Sequence, residues 1–138
     1  MPTESRRRVQ RALVEVFERG RRVPEAWDRE LDGSDATLAQ AILGLSLRHW
    51  GKLQAWIRPR LRQPDRDLPV GTRIAMALGL AQLAWLEGVS DHAAVHESVS
   101  LVADPQLGFP IHRGLVNALL RQAAQDRLGL REELDHLP

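Results

Sequence analysis

The segment from Ile74 to Leu86, IAMALGLAQLAWL, carries one polar side chain, Gln82. A helix that is apolar nearly all round belongs in the middle of a bundle, so the rest of the chain has to surround it. With 138 residues the chain amounts to about one domain, enough for one core. Hydrophobic residues at 43% and charged residues at 27% exclude disordered, collagen-like and coiled-coil compositions. No stretch approaches the roughly 18 uninterrupted apolar residues of a membrane span, and no apolar segment of a signal peptide follows Arg6-Arg7-Arg8. The expected location is the cytoplasm.

Around the central segment, apolar residues recur with helical spacing. Val9, Ala12, Leu13, Val16 and Phe17 form one stripe that ends at Gly20. A short helix is predicted from Pro24 to Leu31, broken by Asp32-Gly33. A longer helix, capped by Ser34 or Asp35, places Leu43, Leu47, Trp50, Leu53, Ile57 and Leu61 on one face, with a bend at Gly51 and an end or kink at Pro59. Residues 63–70 read as a linker between an N-terminal helical group, about 5–62, and a C-terminal one, about 71–128. Ser90 or Asp91 caps a helix running to Ala103, and Pro110 opens a last helix reaching about Leu128, followed by a polar tail at 129–138. No segment alternates with period two, so the expected fold is all-α, a bundle of six or seven helices.

Several chemistries are excluded by residue type. The absence of cysteine removes disulfides, thiolate metal sites and cysteine nucleophiles. No glycine-rich phosphate loop and no G-x-S-x-G motif is present. His92 and His96, four apart and followed by Glu97, resemble a metal-ligand pair, but a zincin-type helix places the glutamate directly after the first histidine. The alternative is a His92 beside a helix cap and a packed His96. The expectation is a protein without catalytic residues, metal or cofactor.

The net charge of +1 hides a segregation. From Ala41 to Pro64 there is no acid beside Arg48, Lys52, Arg58, Arg60 and Arg62, whereas from Ile74 to His112 there is no Lys or Arg beside Glu87, Asp91, Glu97 and Asp104. Such a pattern permits a basic surface on a nearly neutral protein. Arg6, Arg7 and Arg8 stand where the first helix begins, a position already favourable for phosphate. Arg11 belongs with them, although Glu15 four residues on can occupy it. Spacing at 100° per residue puts His49, Lys52, Trp56 and Arg60 on one strip, where Trp56 either stacks a base or covers the bundle edge. Arg113, Asn117 and Arg121 follow at i, i+4 and i+8, as a second basic strip or as the wet face of the last helix.

The C-terminal half resembles the NusB family. The pattern G-x-x-Q-L is carried by Gly79, Gln82 and Leu83, then D-H-A-A-V by Asp91 to Val95 with Glu97 and Val99, then V-N-x-x-L-R by Val116, Asn117, Leu120 and Arg121. Arg7, Arg8, Ala12, Leu13 and Val16 agree more loosely, so the resemblance runs from about Arg6 to Arg127. It implies an all-α RNA-binding domain with contact through the first helix. One branch is an antitermination factor that binds boxA-like leader RNA with a ribosomal protein partner of the NusE type. The other, closer in wording, is the N-terminal domain of rRNA 5-methylcytosine methyltransferases of the RsmB/Sun type, whose catalytic cysteines have no counterpart here. On that reading the chain is either a domain cut from a longer protein or a free-standing relative. Departures from the pattern are His96 for the usual Asn, Ser90 for Pro and Ala81 for Tyr. The implied function is non-catalytic recognition of ribosomal or leader RNA in antitermination or rRNA maturation, through Arg6, Arg7, Arg8, Arg11, Arg48, Lys52, Trp56, Arg113 and Arg121. The alternative is a protein-interaction module that docks a ribosomal or transcription-complex partner, or forms a homodimer instead of a monomer.

Overall fold

Every residue from Ile74 to Ala84 is buried, as the hydropathy of this segment demands. The computed structural model describes residues 3–63 and 68–138. Among them the chain forms α1 (Glu4–Phe17), α2 (Gly33–Arg48), α3 (Trp50–Ile57), α4 (Val70–Trp85), α5 (Asp91–Ala103), α6 (Arg113–Ala124) and α7 (Arg127–Asp135), with short 3-10 turns at Arg58–Arg60 and Pro110–His112. The all-α class is as expected. Helix α4 touches all six of the others, and α1 with α2 and α5 with α6 are the next most extensive pairings. Fully burying each Leu, Ile or Met of α4 contributes about 1.5–3 kcal/mol, which makes this helix the organiser of the core. No helix among the described residues is long and apolar enough to cross a membrane.

Close approach to α4 is set by Gly79. A Cβ there would lie 2.5 Å from Leu120 Cδ1 and 2.8 Å from Ser98 Oγ, side chains of α6 and α5 that are themselves buried. Alanine in a helix interior gains about 1 kcal/mol over glycine, but overpacking a tight core costs about 1–3 kcal/mol. Gly79→Ala is therefore expected to lower stability by about 1 kcal/mol in urea titration. In a Leu120→Ala background, which itself costs about 2–5 kcal/mol, the added Gly79→Ala step should cost less than it does alone, through the coupling between the two sites.

The element boundaries correct the expectations in six places. Residues 24–31 form successive turns, with Trp27 N–H donating to Pro24 O and Arg29 N–H to Ala26 O, both at 3.1 Å. Arg8 Nη1 donates to the Trp27 and Arg29 carbonyls, at 3.2 and 2.6 Å, and Glu30 sits at φ 72°, outside the right-handed helical region. The long helix starts at Gly33 with Asp32 in the capping position, and it divides at His49 (φ −111°, ψ 16°), two residues before Gly51. Pro59 ends α3 in a 3-10 turn, as anticipated. Of the linker, Pro64 to Asp67 lie outside the described residues, and Val70 already belongs to α4. The last helix is two helices, because Asp126 accepts a hydrogen bond from Gly129 N–H at 3.0 Å and caps a new start. The predicted polar tail is mostly α7, which buries Leu130 and Leu134.

Candidate nucleic-acid interface

The three arginines that open α1 are engaged inside the protein. Arg6 is 5% exposed. Its Nε and Nη2 both donate to Gln82 Oε1, at 3.0 and 2.8 Å, and its Nη1 lies 3.7 Å from Glu97 Oε2. Burial pulls this guanidinium below its ordinary value, and the Glu97 carboxylate opposes the shift. Gln82, the lone polar side chain of the Ile74–Leu86 segment, is thus an acceptor for Arg6, and its Nε2 donates to Leu78 O at 2.9 Å. Arg7 Nη1 donates to Asp104 Oδ2 at 3.0 Å, and its Nε lies 3.9 Å from Glu4. Arg8 Nε donates to Glu4 Oε1 at 2.8 Å, and its Nη1 holds the Arg29 carbonyl at 2.6 Å. The expectation that this triplet presents its guanidinium groups to phosphate is corrected for Arg6, which the core encloses. Arg7 and Arg8 are partly buried and already paired.

Trp56 is also placed differently from the base-stacking expectation. It is 5% exposed, its Nε1 donates to Glu133 Oε2 at 2.9 Å, and the Arg60 guanidinium covers its ring at 3.7 Å. Arg60 Nη2 reaches the same carboxylate oxygen at 2.8 Å. With one face occupied by a cation and the remainder in the core, the indole has no surface left for a base. His49, expected on the same strip, instead stacks on Trp85 with ring centroids 4.3 Å apart.

The remaining cations lie elsewhere. Arg11, Arg48, Arg113 and Arg121 are exposed and Lys52 is half-buried, and none takes part in an ion pair among the described residues. Glu15 does not occupy Arg11, since it is held by Arg19 at 2.8 Å and Arg21 at 3.4 Å. Arg11 instead lines a groove of about 830 Å³ whose charged walls are Arg11 and Arg19 beside Glu15 and Glu18, a balanced setting with no excess of positive charge for a phosphate ligand. Arg48 and Lys52 flank His49 at the α2–α3 junction. Partial burial lowers the His49 pKa, and Lys52 and Arg48 lower it further against the opposing pull of Asp135. The local field at the junction is therefore positive.

Between α5 and α6 runs a second groove, about 650 Å³, lined by His92 and His96 from one helix and by Asn117, Arg121 and Gln125 from the other. Helical spacing shows each half of this lining but not their juxtaposition, which depends on how α5 packs on α6. Gln125 was not legible as a site residue for that reason. Arg113 does not line the groove. His92 and His96 are exposed, not packed, and no cluster of three metal-ligating side chains exists among the described residues.

A model described as the NusB family matches residues 3–125. Over 117 residues the chain is 36% identical to "Ribosomal RNA small subunit methyltransferase B" of Thermus thermophilus, covering 81% of this chain and 28% of that protein. Over 126 residues it is 31% identical to the protein of the same name from Xanthomonas campestris pv. campestris, covering 88% of this chain and 28% of the relative. The chain therefore spans under a third of the length of these curated relatives. No solved structure matches.

Proposed function

From the premise that the chain belongs to the NusB family, we infer that it is a non-catalytic RNA-binding domain acting on ribosomal RNA. The choice of ribosomal over leader RNA follows the names of the two relatives, both rRNA methyltransferases. Methyl transfer itself would fall to the parts of those relatives that have no counterpart in this chain.

The observation that carries this reading is the acid-free segment from Ala41 to Pro64, of which residues 41–60 run through α2, α3 and the 3-10 turn with Arg48 and Arg58 exposed and Lys52 half-buried. Guanidinium and ammonium groups here can neutralise phosphates and release counterions, while sequence discrimination requires unstacked bases to meet polar or aromatic side chains. Arg113 and Arg121 extend the same chemistry to α6.

Fluorescence anisotropy with a single-stranded rRNA-type oligonucleotide, from 50 to 200 mM salt, tests the reading. Affinity should fall steeply with salt. In Arg48→Gln/Lys52→Gln, the slope of log K against log salt should be shallower by about 1.4, for two lost phosphate contacts on a single strand. Salt-independent binding, or a double variant identical to the parent, would count against it.

A second reading, a protein-docking face, is favoured by Phe109 and Ile111, which are 48% and 86% exposed around the Pro110–His112 turn. A partner of the NusE type or a second copy of the chain would cover them. Sedimentation of the parent beside Ile111→Ser distinguishes self-association from a monomer.

A further inference from the structure

We propose that the α5–α6 groove is a binding site for one unpaired nucleotide of single-stranded RNA, with the base on the His92–His96 rings and its phosphate on Arg121. The proposal rests on the RNA-binding reading above and assigns a position within it. Its first support is shape. The two imidazole rings are nearly parallel, 10° apart in plane with centroids 5.3 Å apart, so they form a short column that a third flat ring can continue. The groove volume of about 650 Å³ lies in the usual range for small-ligand sites, and Val95 and Val99 supply apolar lining against which a base can rest.

The second support is that the polar lining has no internal duty. None of the side chains of His92, His96, Asn117, Arg121 and Gln125 has a hydrogen-bond or ion-pair partner among the described residues. The arginines at the start of α1 are the opposite case, each held by an internal acceptor. Carboxamides at 117 and 125 offer donor and acceptor together, which is the chemistry that reads a base edge. Arg121 offers the bidentate fork that suits phosphate.

The third support is electrostatic. Asp91 is the one acid lining the groove, and Arg127 Nη1 holds its Oδ1 at 3.1 Å. The carboxylate that would repel a phosphate is thereby neutralised from α7, leaving Arg121 as the net charge of the groove.

The test is heteronuclear NMR on the labelled 138-residue chain, titrated at constant pH with a single-stranded RNA hexamer, with adenosine 5′-monophosphate and with inorganic phosphate. Intermolecular NOEs from the His92 and His96 ring protons to base protons are expected with both nucleotide probes, together with shifts of the Asn117 and Gln125 side-chain amides. His96→Ala and Arg121→Gln, both at exposed positions, should keep the parent's spectrum elsewhere and each weaken hexamer binding about tenfold. Arg121→Gln should also make the salt slope shallower by about 0.7. If the hexamer binds while the α5–α6 signals stay in place, the groove assignment is overturned and the RNA-binding reading stands. If inorganic phosphate alone reproduces every shift, the groove is an anion site and the assignment is likewise overturned. If the hexamer perturbs no residue, both readings fall together.

Discussion

Arg6→Ala is expected to destabilise the protein by about 3–5 kcal/mol, the range for removing one partner of a buried, hydrogen-bonded charge pair. The substitution leaves Gln82 Oε1 without its two donors on the buried side of the last turn of α4 and removes the cation facing Glu97, whose side chain is 12% exposed. The deleted stem also leaves a void against the core, since the arginine packs at the interface of three helices. Urea unfolding followed by circular dichroism should show a lower midpoint with an unchanged slope. Arg6→Met/Gln82→Leu, which removes donor and acceptor together and restores volume, should lose less than Arg6→Ala alone. A loss under about 1 kcal/mol for Arg6→Ala would contradict the buried pairing. The same reasoning bears on RNA-binding assays: alanine replacement of Arg6, Arg7 and Arg8 together would abolish binding by unfolding the chain. Arg48 and Lys52 are the safer probes.

The second large effect is expected at Arg127. Its guanidinium donates to Leu83 O at 2.8 Å through Nε, to Gln82 O at 3.0 Å and Leu86 O at 2.8 Å through Nη2, and to Val89 O at 2.7 Å through Nη1. Gln82 O also accepts from Leu86 N–H and Leu86 O from Val89 N–H, both at 3.0 Å, so the guanidinium adds to these bonds and supplies a donor for Leu83 O, and a cation there also faces the negative end of the helix dipole. One side chain from α7 thus closes the central helix and fixes the turn that leads into α5. Arg127→Ala should cost about 2–4 kcal/mol after discounting for its partial exposure, with Tm lower by roughly 10 °C. Arg127→Lys should recover only part, because an ammonium has three donors and no planar fork. An unchanged Tm in Arg127→Ala would refute the capping role.

The helices that bury a wide stripe were legible, and those held by single long-range contacts were not. Helix α1, α4 and α5 follow from Val9, Ala12 and Leu13, from the Ile74–Leu86 segment, and from Ser90, whose Oγ accepts from Ala93 N–H at 3.0 Å. Helix α7 has only Leu130 and Leu134 on its buried side, too few for a periodic signal, and its start depends on one capping carboxylate, Asp126. The 24–31 segment has the composition of a helix, but Arg8 takes two of its carbonyls.

Charge shows the same limit. Segregation into a basic and an acidic stretch suggested two faces, yet Asp91, Glu97 and Asp104 of the acidic stretch pair with Arg127, Arg6 and Arg7. Such partners lie 36 to 97 positions apart, beyond any local spacing rule. For Trp56 the sequence left base stacking and cover of the bundle edge both open, because the Glu133 that satisfies its indole lies 77 positions on. The two halves of the α5–α6 groove were each visible as helical spacings, and packing alone joined them.

Helix α1 is made before the other six helices, yet the groups that hold it come late. Gln82 follows Arg6 by 76 positions, and Asp104 follows Arg7 by 97. At about 5–20 residues per second, synthesis of the intervening chain takes on the order of ten seconds. For that interval only Glu4 offers Arg7 and Arg8 a counter-charge within the helix, and Glu97 and Asp104, the acidic partners of Arg6 and Arg7, are translated only as the C-terminal helices emerge. The fold therefore closes from its far end back onto its beginning.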